Sequence, residues 1–191
     1  MLKQGCFIIF LVLVTVHLVA CMGGLWTGAS LVYDRHQVYK QLNDYQIALD
    51  ASNALYKDKY FKSPDCVTDL AVFNGDLLLI GHVPSTAFLE ESRARLATVQ
   101  GYRRLFNELI VDNRTYSTAQ DSWITGKIRT HIFADGSIDP KAFKIVTADS
   151  IVYLMGDVRP EQAQKVINIS RKTAGVRRVV RVMKYYTYQT R

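Results

Sequence analysis

Two stretches of the chain carry the same order of local signals, and this duplication restricts the fold more than any other feature. In the first, Asn43 or Asp44 is placed to cap a helix whose Ile47, Ala51 and Leu55 fall on one face. In the second, Asp121 or Ser122 precedes Ile124, Ile128 and Ile132 at the same spacing. Spacing of i, i+4 and i+8 buries one stripe of a helix. Each stretch then reads as a hairpin: Leu70-Ala71-Val72-Phe73, the turn Asn74-Gly75 and Asp76-Leu77-Leu78-Leu79-Ile80, against Ile145-Val146-Thr147-Ala148, the turn Asp149-Ser150 and Ile151-Val152-Tyr153-Leu154-Met155. The strands after the turns are expected to end at Gly81 and Gly156. A second helix follows, over residues 86–100 in one copy and 160–173 in the other, where Pro160 and Glu161 suit a first turn. Gly101-Tyr102-Arg103-Arg104-Leu105-Phe106 and Gly175-Val176-Arg177-Arg178-Val179-Val180 close each helix and open a third strand.

This order predicts an α+β chain of two tandem α-β-β-α-β units, each a three-stranded mixed sheet packed on two helices, since strand, helix, strand implies a right-handed crossover. The repeat is too long for a solenoid motif. Units this small are marginal alone, which predicts that the two pack together. The expected boundaries are 34–115 and 120–188.

Ahead of the repeat, residues 1–20 read as an export signal: Lys3, an apolar run from Cys6 to Val16, then Leu18-Val19-Ala20-Cys21. The run is too short to span a bilayer. The last four residues resemble the lipobox of bacterial lipoproteins, which implies lipidation of Cys21, with fatty acyl chains such as palmitate as the anchor. Residues 21–33, rich in Gly, Ala and Ser, then form a tether. Met22 in place of aspartate favours sorting to the outer membrane, by resemblance to enterobacterial rules. With Cys6 removed and Cys21 acylated, Cys66 stands alone in the mature chain and is expected to be a half-buried apolar residue.

The capped helix, the apolar hairpin with its glycine, the second helix and the Gly-x-Arg-Arg segment together resemble the BON domain of bacterial envelope proteins. Two copies behind a lipobox resemble the dual-BON outer-membrane lipoproteins of the DolP (YraP) type. Asp34-Arg35, Gln41, Asp44, Asn53-Ala54-Leu55, Lys57-Asp58, Trp123-Ile124, Lys127 and Leu154-Met155-Gly156 also carry the resemblance. It implies a periplasm-facing protein, binding of anionic phospholipid through the second unit, and support of outer-membrane integrity. The Tyr185-Tyr186-Thr187-Tyr188 terminus has no role in that pattern.

Charge separates the copies. The chain is +7 overall, yet residues 21–121 are −2 and residues 122–191 are +8. On a helix over 122–133, Trp123, Gly126, Lys127, Thr130 and Phe133 lie opposite the isoleucine stripe. Aromatic rings on an outward face, with small residues and a lysine between them, suit insertion at the headgroup boundary. The first copy has Gln46, Asp50 and Tyr56 where the second has Trp123, Lys127 and Phe133. The same rings also suit packing against the first unit or a protein partner such as an outer-membrane assembly component. The family resemblance favours lipid. Arg129, Arg177, Arg178, Arg181 and Lys184 are candidates for a basic rim, although Arg178 and Arg181 fall on opposite strand faces.

No constellation for catalysis, a metal or a cofactor is expected, and no small-molecule substrate. His36, His82 and His131 are scattered, with His131 expected half-buried beside the isoleucine stripe. Asp157 and Glu161 read as helix-terminus charges. Export argues against nucleic acid as the anionic partner.

Overall fold

The central strand of each repeat is apolar at consecutive positions, and the reason is that both of its faces are covered. A computed structural model describes residues 35–112 and 118–186, with side chains from residue 39. The expected signal, Cys21 and the tether lie outside the described residues. The first repeat runs α1 (Arg35–Leu55), β1 (Val67–Phe73), β2 (Asp76–Val83), α2 (Thr86–Leu96), β3 (Arg104–Val111). The second runs α3 (Thr118–Ala134), β4 (Phe143–Ala148), β5 (Ile151–Val158), α4 (Pro160–Lys172), β6 (Arg178–Tyr185). Short 3-10 turns at Tyr60–Lys62 and Pro140–Ala142 complete the order. Each sheet has the predicted mixed topology: β1 antiparallel to β2, and β2 parallel to β3; likewise β4, β5 and β6.

Side chains alternate between the two faces of a strand. Leu77 and Leu79 join Ile47, Ala51, Leu55 and Leu96 under the helices of the first repeat. Val152 and Leu154 do the same with Ile124, Ile128, Ile132 and Val166 in the second. The intervening residues, Leu78 and Ile80 of β2 and Ile151, Tyr153 and Met155 of β5, form a third cluster with Ala71 and Val182. The two sheets therefore pack face to face, giving four layers with the helices outermost.

Several local expectations are corrected. Both first helices start earlier than the predicted caps, at Arg35 and Thr118. Asp44 and Asp121 sit inside their helices and cap the hairpin turns instead. Asp44 accepts from the amides of Asn74 and Gly75, each at 2.7 Å, and Asp121 from those of Asp149 and Ser150, each at 2.8 Å. Both turns place two consecutive residues at positive φ: Asn74 at 51° and Gly75 at 79°, Asp149 at 55° and Ser150 at 61°. Serine lacks the freedom of glycine there, so the second turn depends more on its carboxylate. Asp121→Ala is expected to cost about 1–3 kcal/mol and more than Asp44→Ala, as measured by urea denaturation.

The glycines do not end their strands; β2 and β5 each continue two residues beyond. They are needed for close approach. A Cβ on Gly81, whose φ is +125°, would meet the Val67 carbonyl oxygen, and one on Gly156 would meet that of Ala142. The second helices end at Leu96 and Lys172, before the positive-φ glycines Gly101 and Gly175. Asp157 belongs to β5 rather than to a helix terminus, and accepts from Arg103 of the first repeat at 2.8 Å. Glu161 is in the first turn of α4 as expected. His131 is exposed, because it lies a residue off the Ile128 and Ile132 stripe. Cys66 is half-buried against the first core, and burial raises its thiol pKa.

A candidate lipid-binding face on the second repeat

α3 is fixed by its isoleucines, which are fully buried, and by the grip of Asp121 on the hairpin. Thr125 adds a hydroxyl contact to Thr147 of β4 at 2.7 Å. These anchors leave the opposite side of the helix facing solvent. Trp123 is 49% exposed and Phe133 72% exposed, so neither ring is covered by the first repeat. The sheets, not these rings, make the contact between repeats.

Gly126, Lys127 and Thr130 are exposed between the two rings. Lys127 holds its ammonium 4.7 Å from the centre of the Trp123 ring, a cation–π contact that keeps charge and aromatic surface together. Gly126 has open space where a side chain would be, and the Thr130 hydroxyl turns back to donate to its carbonyl at 3.0 Å. Gly126 and Thr130 thus keep the strip between the rings low, with Lys127 drawn to its Trp123 end. All five predicted residues share one outward face.

The structure adds Phe73, Phe143 and Lys144, which sequence reasoning did not place: with Phe133 and the rim candidate Arg129, exposed on the flank of α3, they line a cleft of about 310 Å³. Phe73 comes from β1 of the first repeat. Lys144 donates to the Val72 carbonyl across the repeats at 3.1 Å, and burial lowers its pKa. Local pattern carries no sign of this cleft, since its walls come from different repeats. The β6 cations are exposed but sit on the other edge of the sheet, while α3 packs over β4. Of the candidate rim, Arg129 alone joins the face.

Along the same flank, toward the start of α3, a groove of about 620 Å³ opens between the repeats, lined by Thr125, Gly126, Arg129 and residues of β1 and β4. At its base, the imidazole of His82 from β2 lies against the Asp149 carboxylate, both side chains being buried. Among the described residues no group of three or more metal-binding side chains occurs.

Comparison with known proteins supports this reading of the fold. The family model "BON domain" matches residues 120–186, the second repeat. Outer membrane lipoprotein DolP of Haemophilus influenzae is 30% identical over 168 residues, covering 87% of this chain and 86% of the relative. The chain belongs to the DolP family of BON-domain lipoproteins. The 21 kDa hemolysin of Actinobacillus pleuropneumoniae is 26% identical over 76% of this chain and 75% of its own. A solved structure of CdsD, a structural protein of the type III secretion system of Chlamydia trachomatis, covers 74% of this chain and 92% of its own at 11% identity. Its TM-score is 0.31. Like DolP, the protein is an outer-membrane, lipid-anchored protein, and no helix among the described residues is long and apolar enough to cross a membrane.

Proposed function

We propose that this DolP-family protein is a non-enzymatic, periplasm-facing factor, anchored through Cys21, that supports outer-membrane integrity by binding anionic phospholipid with α3. The observation that carries this reading is the exposed pair Trp123 and Phe133 with Lys127 and Arg129 on the same helix. Trp123 and Phe133 would enter the headgroup boundary, Lys127 would attract the headgroup, and Gly126 and Thr130 would allow close approach. Each basic residue near an anionic surface contributes roughly 1 kcal/mol. A weak lipid-reading face beside a permanent anchor raises avidity for regions rich in anionic lipid.

Flotation of residues 30–191, which lack the anchor, tests this with phosphatidylglycerol-containing and purely zwitterionic vesicles. Binding is expected only with the anionic vesicles, to fall with salt, and to be lost in Trp123→Ala, Lys127→Glu. Trp123 is then the sole tryptophan, so its emission reports insertion directly. No flotation on either vesicle would overturn the lipid reading and direct the search to a protein dock on the same face.

A further inference from the structure

α1 runs from Arg35, nine residues ahead of its hairpin-capping Asp44. From residue 39 to residue 46 every side chain is exposed except Asp44, which reaches the hairpin. A helical overhang of this length has little stability in water unless an apolar face is packed. Such a face is present: Tyr39 is 71% exposed, Leu42 60%, Tyr45 64% and Leu49 40%. Leu42, Tyr45 and Leu49 follow the three-four spacing that keeps apolar side chains on one helix–helix seam.

We infer that this seam is where a second copy of the chain docks, α1 against α1 about a two-fold axis. Charge separates this occupant from a bilayer. Residues 39–49 carry only Lys40 and Asp44, the latter engaged by the hairpin, so the helix itself presents less positive charge than α3 does with Lys127 and Arg129; Lys141 and Lys144, which share a cleft with Tyr45, belong to the second repeat. An uncharged seam meets its own copy without like-charge repulsion. The four side chains expose on the order of 500 Å² per helix, with a whole aromatic side chain burying about 150–250 Å². Two copies then bury roughly 1,000 Å², the lower limit for a specific interface, so the pair is weak in solution and gains from confinement on one membrane.

Disulfide trapping of the full lipidated protein in purely zwitterionic vesicles tests the pair where anionic lipid is absent, so failure of the lipid reading would not affect the result. In a Cys66→Ser parent, Gln46→Cys places a thiol on the seam and Arg93→Cys places one on α2. Gln46→Cys is expected to give a disulfide-linked dimer well above both the parent and Arg93→Cys, lost on adding Tyr45→Glu. Tyr45 is exposed, so circular dichroism of that variant should be unchanged. Dimer no greater than in Arg93→Cys, or a dimer insensitive to Tyr45→Glu, would each overturn the inference.

Discussion

Tyr153→Ala is expected to lower the stability of the whole two-repeat body by about 3–5 kcal/mol, the usual cost of removing a buried large aromatic. Tyr153 is 1% exposed and stands at the centre of the contact between the sheets, with Leu78 and Ile80 of the first repeat in the same cluster. Its hydroxyl pKa is pushed up to about 12, chiefly by burial and then by Glu108. Because the cluster belongs to both repeats, the loss should appear in one shared transition. Urea denaturation followed by hydrogen exchange should show protection falling in β2 and β5 together. Tyr153→Phe keeps the ring and should cost much less. Two separately melting repeats, with only the second affected, would contradict this account.

His82→Ala is expected to cost about 3–5 kcal/mol near neutral pH, because it leaves the buried Asp149 carboxylate without the side chain that faces it. The dependence on pH distinguishes this from simple loss of packing. Burial raises the Asp149 pKa, as does the nearby Asp121 carboxylate, while His82 and then Arg177 act to lower it. A folded-state value above the unfolded one means that the folded protein binds this proton more readily. The Asp149 contribution is therefore fully present below the ordinary carboxylate value near 4 and is lost as pH rises through the raised value. The deficit of His82→Ala should accordingly shrink on acidification, and Asp149→Asn should remove that slope while tolerating the positive φ of the turn.

Asp76 titrates in the opposite sense. Burial alone would raise its pKa, but hydrogen bonds from Arg104 and Arg103 outweigh burial and hold it low. Its stabilisation is present above the ordinary carboxylate value and lost only as pH falls through the lowered one. Denaturation curves from pH 7 down to pH 3 therefore separate the two aspartates. A pH-independent deficit in His82→Ala would show that the pair acts by packing alone.

Much of the local structure was legible. The stripes at Ile47, Ala51, Leu55 and at Ile124, Ile128, Ile132 identify core-facing helix sides, and Asn74-Gly75 identifies a two-residue hairpin, because each signal is contained within one element. The outward face of α3 follows from the same periodicity, so the exposure of Trp123 and Phe133 was readable. Asp44 and Asp121 misled because an aspartate before an apolar stripe looks like a helix cap, whereas its real partners are backbone amides about 30 residues away. Arg103 with Asp157, His82 with Asp149, and the Phe73 wall of the cleft were unreadable for the same reason.

By itself, the sequence determined two mixed three-stranded sheets with paired helices, a basic second repeat and an aromatic outward helix face, since periodicity, turn chemistry and charge are local properties. The unbroken apolar runs of β2 and β5 also required cover on both faces. Only tertiary structure decided that each sheet is the other's cover. That choice rests on the complementary fit of Leu78, Ile80, Tyr153 and Met155, a contact between residues far apart in the chain that no local pattern encodes.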